Sequence, residues 1–429
     1  MTVFSQLKTQ LKAKLHDVIE NKHIHNGLVI IRVEQCCSVD NQLLLSWLKA
    51  QHSFPKYYWQ NRDNTLTLTS IGAVKYFQDI EKAQQFSTNN HCTLIGGMQF
   101  SGETSFILPR LLFAKKEHKV TACLVVDSRN WEKEKIAIDQ LFANFEKTIA
   151  LEKTPYSLLD TAPYTNFQQW SDNIQNTIEH IKQGDFNKIV LANATDLICK
   201  EPISAYRLLA LSKQKNYHCF HFLWQETQDV SFIGSSPERL YKREQQTLYT
   251  EALAGTAMVT GNQKQTEENG KWLLNDPKNN IENQYVVDDI CDNLKSYAKE
   301  IEVKDTQLKQ LPNVQHLCRL IKMELKDDVS DAQCLSHIHP TAAVAGLPRK
   351  KAIPFIAQTE NFERNWYAGT LGFFNAEQAE FCVTLRSALI NKNSMTVYAG
   401  AGIVQDSEPE SEWKEIQRKA LAMIKLLQQ

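Results

Sequence analysis

The sequence of 429 residues contains ten cysteines but no C-x-x-C pair. The cysteines are scattered, and Cys123 and Cys382 sit inside apolar runs, where a reduced thiol behaves as a small hydrophobe. This excludes a disulfide framework and a thiolate zinc site, and a reducing compartment is expected. No window approaches about 18 uncharged apolar residues, so no membrane span is expected. Met1–Lys22 carries Phe4, Leu7, Leu11, Leu15 and Val18 at helical spacing, but lysines interrupt it. It lacks the continuous apolar stretch of a secretory signal, and the chain reads as cytoplasmic. Neither sign of charge is in excess: 48 basic and 49 acidic residues leave a formal charge of −1, and no block concentrates the basic ones. A nucleic-acid surface is therefore not expected. Glycine (15) and proline (12) are sparse, and no repeat or low-complexity stretch is present.

What remains is the composition of a soluble globular protein, long enough for two or three ordinary domains or one large one. Residues 27–34, 57–60, 105–113 and 120–126 read as strands. Residues 131–152 read as helical and 153–166 as a loop, which divides the chain into 1–155 and 156–429. A helix follows, with Phe167, Trp170, Ile174, Ile178 and Ile181 on one face, and stops at Gly184. Strands are expected at 188–198, 217–225, 230–234, 238–242 and 247–254, then helices at 264–275, 279–297 and 313–325. Two further strands are expected at 380–390 and 394–400. Consecutive strands joined by short turns indicate α+β with antiparallel pairing, not a doubly wound parallel sheet.

The chemistry is concentrated late in the chain. Tyr398–Val404 is a run of small residues that feeds, through an acidic turn, a helix with Glu412, Glu415 and Lys419 on one face. Trp413, Ile416, Ala420, Met423, Ile424 and Leu427 form the apolar stripe on another face. Backbone N–H groups, two carboxylates and an ammonium suit an anionic ligand held through a divalent cation; the alternative is a solvated Glu–Lys face. Gly400-Ala401-Gly402 is not a dinucleotide fingerprint, because Gln405 stands at the third glycine position.

Other polar positions carry the same double reading. Lys188 opens an apolar strand: exposed at the strand end it is ordinary, and buried it is a candidate general base. Glu238 follows the Gly234–Pro237 turn and is either a surface residue or, in a cleft, a proton donor. Glu251 precedes Gly255-Thr256, whose N–H and hydroxyl can face a ligand, and Glu282 shares a helix with Tyr285 and Asp289. Two or three such carboxylates hold Mg²⁺, or else line a solvated helix face. An isolated histidine such as His339 is more often a structural hydrogen-bonder than a catalyst. Arg386 sits in an apolar strand and needs a carboxylate from protein or ligand.

Taken in order, GDFNKIVLA (184–192), GSSPERL (234–240), EALAGT (251–256), the Glu282 helix, HPTAAVAGLP (339–348), RNWYAG (364–369), VTLRSA (383–388), AGAGIV (399–404) and EWKEIQRK (412–419) resemble the chorismate-utilising enzymes. That family comprises isochorismate, salicylate, anthranilate and aminodeoxychorismate synthases. FPKYYWQNRD (54–63) and Ala342–Pro348 most resemble its branch that makes isochorismate for menaquinone. The resemblance implies a large fold of mainly antiparallel sheets flanked by helices, with residues 1–155 completing it.

It also implies roles. Lys188 matches the base that activates water for attack at ring position 2, and Glu238 the acid that protonates the departing 4-hydroxyl. Glu282 and Glu415 match Mg²⁺ ligands, with Glu412 nearby through water. Gly255, Thr256, His339, Arg386, Gly400 and Lys419 fall at substrate-binding positions, the last three toward the enolpyruvyl carboxylate. To accept a proton Lys188 must be neutral, so burial or a neighbouring positive charge is expected around it. A lysine at position 188 favours water over ammonia as nucleophile, and Ala254 stands where covalent-adduct relatives carry a lysine. No glutaminase segment is found, and no glutaminase subunit, nucleic acid or membrane partner is expected for a monomer or weak homodimer acting on chorismate. Salicylate synthesis, isochorismate formation followed by pyruvate loss, is the alternative. Two positions depart from the family pattern: Ala342 stands where many relatives have proline, and Asn283 where histidine commonly follows the metal-site glutamate.

Overall fold

The structure, a computed structural model, describes residues 2–20, 27–37, 39–311 and 314–429. Among the described residues, twenty strands join one sheet, and every pairing in it is antiparallel. The fold is α+β, with helices laid on these strands.

Two long strands, Leu66–Phe77 and Thr104–Lys116, form a root from which two limbs extend. The first limb runs through Lys56–Gln60, Phe220–Gln225, Val230–Ser236, Ser387–Asn391 and Ser394–Ile403 to Lys188–Cys199. The second runs through Leu94–Met98, Thr370–Phe374, Gln378–Val383, Arg239–Glu244 and Thr247–Met258 to Val314–Leu325. The chain crosses from the first limb to the second at Pro237-Glu238 and returns at Thr384–Arg386. The crossings lie side by side: Val383 N–H donates to the Glu238 carbonyl and Ser235 N–H to that of Arg386, each at 3.1 Å.

Strand alternation explains the aromatic run at Lys56–Gln60. Successive side chains point to opposite faces, so Tyr57 and Trp59 enter one core while Tyr58 enters another. Both faces are covered, and all five residues are buried. Phe222 and Trp224 against Leu223 repeat the division on the neighbouring strand. Each such side chain withdrawn from water contributes roughly 1.5–3 kcal/mol. The second core is closed by Val3–Glu20, which buries Phe4, Leu7, Leu11 and Leu15 as their spacing predicts.

Four sequence expectations are corrected. Residues 314–325, expected as helix, form a strand paired along Thr247–Met258, and residue 313 lies outside the described residues. The burial of Gln315, Leu317, Ile321, Met323 and Leu325 has the period of two that belongs to a strand. The expected loop 153–166 contains the strand Leu158–Pro163, an edge strand exposed at all six positions and therefore without a buried pattern to reveal it. The helix expected over 131–152 ends at Asn144. The single strand expected over 380–390 is two strands, Gln378–Val383 and Ser387–Asn391, one on each limb. Among the described residues no helix is long and apolar enough to cross a membrane.

Candidate active site

The helix Phe167–Lys182 ends in a tight turn, with Gly184 at φ +81° and the Asp185 N–H donating to the His180 carbonyl. That turn delivers Lys188 as the first residue of Lys188–Cys199. Its side chain is 2% exposed, and its Nζ donates to Glu282 Oε1 at 2.8 Å. Sequence reasoning expected burial or a positive neighbour; burial is found, but the charged partner in contact is a carboxylate. The small-residue run after His339 covers the same strand: Gly346-Leu347 pairs with Ile189 and Lys188, and a Cβ on Gly346 would lie 2.5 Å from the Lys188 carbonyl. Across the strand, a Cβ on Gly402 would come within 2.9 Å of Lys188 Cε and 3.3 Å of Glu282 Oε1. A Cβ on Gly400 would lie 2.9 Å from the Tyr367 hydroxyl. Glycines in this strand leave room for the ion pair and the tyrosine.

Lys188, Glu238, Gly255, Thr256, Glu282, Arg386, Gly400, Glu415 and Lys419 all line one cavity of about 150 Å³. It opens between the limbs, with Lys188 and Gly400 from the first and Gly255 from the second. Glu238 and Arg386 occupy the two crossings. Burial, reinforced by the negative charge of Glu251, raises the Glu238 carboxyl from 4.5 to about 7, against the opposing pull of Lys309, Lys188 and Lys419. Arg386 is placed by a left-handed backbone, φ +46°, which is costly for a side chain of this size. Burial lowers its pKa, and among the described residues no protein carboxylate pairs with it. Backbone strain of this kind clusters at active sites and ligand clamps.

The far wall is built on a bulge. The register between Thr247–Met258 and Val314–Leu325 shifts between Ala254 and Thr256, and Gly255 takes φ +80° to absorb the extra residue. Thr256 Oγ1 lies 3.0 Å from His316 Nδ1. Burial, then Arg386 and Lys419, holds His316 down at about 3, so the imidazole facing the cavity is neutral. Lys419 donates to the Gly400 carbonyl at 2.9 Å and to Glu415 Oε1 at 2.7 Å. That ammonium keeps Glu415 below the usual carboxylate range despite its burial.

Two expected site residues stand apart from the cavity lining. His339 caps the helix Asp331–Ile338, its Nε2 lies 3.1 Å from the Gln99 carbonyl, and burial lowers it to about 4. It holds the 339–348 segment to the Leu94–Met98 side of the fold. Glu412 sits one turn before Glu415 and is raised to about 7, first by burial and then by Glu415. Asp289 is likewise structural: it accepts from Ala342 N–H at 3.0 Å and pairs with Arg349 at 3.3 Å. His316, Tyr367 and Tyr398 line the cavity without having been assigned from sequence, and the two tyrosines stack at 5.1 Å. RNWYAG and the strand preceding AGAGIV were the available signals for the tyrosines; His316 was hidden by the helical reading of its strand.

Among the described residues no three His, Cys, Asp or Glu side chains gather as a metal cluster. Glu282 and Glu415, both on the cavity and each held by one ammonium, are hard oxygen donors of the kind a Mg²⁺ ion takes together with water.

The profile of a family described as "Chorismate binding enzyme" matches residues 96–428. The chain belongs to the chorismate-binding enzymes. Its similarity to "Isochorismate synthase MenF" of Pasteurella multocida is 42% identity over 403 residues, covering 93% of this chain and 94% of that protein. The protein of the same name from Haemophilus influenzae is 40% identical over 427 residues, covering 99% and 97%. The solved structure of MenF, "the Menaquinone-Specific Isochorismate Synthase from Escherichia Coli", superimposes with a TM-score of 0.89 at 35% identity, over 96% of this chain and 100% of that one. Anthranilate synthase component I from Streptococcus pneumoniae, at 17% identity and a TM-score of 0.62, shares the fold. Every cavity residue of this chorismate-binding enzyme named above falls within the matched span.

Proposed function

We propose that the chain is an isochorismate synthase that isomerises chorismate to isochorismate for menaquinone synthesis. The observation that carries this reading is the placement of a buried lysine and a buried carboxyl raised to about 7, Lys188 and Glu238, on the wall of one small cavity. The reaction adds the oxygen of water at ring position 2, shifts the double bonds, and breaks the bond to the 4-hydroxyl. Lys188, in its neutral amine form and released from the ion pair with Glu282, takes a proton from the attacking water, and Glu238 gives one to the departing hydroxide, which leaves as water. One water enters and one leaves, so the substrate is isomerised with no redox change. General acid and base catalysis of this kind contributes about 10²–10⁴-fold each.

A dianionic substrate explains the remaining charges. Among the described residues no carboxylate pairs with Arg386, which offers its fork to the enolpyruvyl carboxylate, with Lys419 beside the Gly400 carbonyl. Glu282 and Glu415 would hold Mg²⁺, with Glu412 contributing through water. When bound, that ion would withdraw electron density through the ring carboxylate as the nucleophile adds. The neutral His316 and Thr256 supply hydrogen bonds to the ring hydroxyl region without adding charge. The enzyme acts in the cytoplasm without a glutaminase subunit, as a monomer or weak homodimer, with residues 1–155 completing the fold around 156–429.

Incubation with chorismate and Mg²⁺, followed by chromatography, tests the proposal. Isochorismate as product is the expected result; salicylate with pyruvate, or no conversion, overturns it.

A further inference from the structure

Three charged residues outside the cavity surround the turn that carries Glu238. Glu251 is buried on Thr247–Met258, with its side chain 1% exposed. Its Oε1 accepts from Arg62 Nη1 at 2.5 Å, from Lys309 Nζ at 2.7 Å and from the Arg239 backbone N–H at 3.2 Å. The same two cations reach the carbonyl of Pro237, Lys309 at 2.8 Å and Arg62 at 3.4 Å. The residues on either side of Glu238 are thus both tied to one buried ion cluster. None of the three charged side chains lines the cavity.

We propose that the Glu251–Arg62–Lys309 cluster is the positioning device for Glu238, clamping the crossing turn and setting a fixed negative charge behind the acid. This inference rests on the assignment of Glu238 as the proton donor. The clamp acts on backbone: with the Pro237 carbonyl and the Arg239 N–H both held, the turn cannot rotate Glu238 away from the cavity. The electrostatic part follows from which charges survive burial. Burial opposes ionisation of Glu251, but Lys309 and Arg62 overcome it and hold the group at about 2, so it is an anion at any working pH. The groups that face Glu238 are Glu251, Lys309, Lys188, Lys419 and the Tyr367 phenol. Of these, Glu251 is the charge that raises it, and the three lysines lower it. Glu251 and Lys309 therefore act on the same proton in opposite directions.

That opposition gives a test a merely structural cluster would not pass. Glu251→Gln removes the raising charge, so the pH above which kcat falls should move down by about one unit. Lys309→Met removes a lowering charge while Arg62 still holds Glu251, so the same limb should move up. KM for chorismate should change less than about threefold in both, since neither group touches the cavity, and Glu251→Asp should restore most of the wild-type profile. Should Glu251→Gln fail to fold, the upward shift in Lys309→Met still decides the matter. The ¹³C NMR titration of the Glu238 carboxyl in the substrate-free protein reads the same shifts without turnover, so the inference can fail or stand separately from the proposed reaction. Loss of kcat at all pH values with the limb and the NMR titration unmoved would overturn it.

Discussion

The Ser235 N–H donates to the Arg386 carbonyl at 3.1 Å, where the two backbone crossings between the limbs of the sheet run together. Each crossing supplies one charged cavity side chain, Glu238 on the outgoing path and Arg386 on the returning one. Hydrogen bonds between the crossings fix the acid and the guanidinium relative to each other.

The first prediction concerns pH. Glu238, the proposed acid, can donate only while protonated, and its carboxyl is raised to about 7 by burial and by Glu251. Activity should fall as pH rises through about 7, and Glu238→Gln should lower kcat by about 10²–10⁴-fold and abolish that limb. The same shift bears on stability. The folded value lies above the ordinary 4.5, so the unfolded chain releases this proton first. The contribution is present below about 4.5 and lost as pH rises through about 7. Urea unfolding of the wild type and of Glu238→Gln across this window checks the sign.

Lys188→Ala should reduce turnover by about 10²–10⁴-fold while chorismate binding, measured by calorimetry, stays within a few-fold. The substitution also deprives Glu282 of the ammonium 2.8 Å away. Wild-type turnover in this variant would remove Lys188 from the mechanism.

Arg386→Lys keeps the charge but loses the planar fork. Hydrogen bonds to charged groups are worth about 1.5–3 kcal/mol, so KM should rise about tenfold or more with a smaller change in kcat. Steady-state kinetics with chorismate separates the two parameters.

Arg364 fastens the cavity wall from behind. Its Nη2 donates to the Val190 carbonyl at 2.7 Å and its Nη1 to that of Val344 at 2.9 Å, while Glu360 pairs with it at 2.5 Å. Both partners are buried, so Arg364→Met strands an unpaired carboxylate and should cost about 3–5 kcal/mol. The midpoint of urea unfolding measures the loss.

Much of the site was legible because it is written in short segments. GDFNKIVLA, GSSPERL and VTLRSA each carry one of the charged residues that line the cavity, and EWKEIQRK carries two. What stayed hidden was set by distant contacts. Glu251 meets Arg62 across 189 residues and Lys309 across 58, separations that no local pattern encodes. Val314–Leu325 was misread because Val314, Leu317, Ile321 and Leu325 also recur at the three- and four-residue spacing of a helix. The break at Thr384–Arg386 depends on each flanking segment choosing a different limb, and no turn residue announces it. His339 stands in a matched segment but off the cavity wall, where its Nε2 lies 3.1 Å from the Gln99 carbonyl.

The strand Phe220–Gln225 is flanked by Lys56–Gln60 on one side and Val230–Ser236 on the other. Cutting the chain near residue 155 would strip away the former and leave a row of unsatisfied amides beside Phe222 and Trp224, a ready template for fibrous self-association. A C-terminal fragment bearing every cavity side chain should accordingly precipitate when expressed alone and regain solubility when the missing portion is supplied in trans.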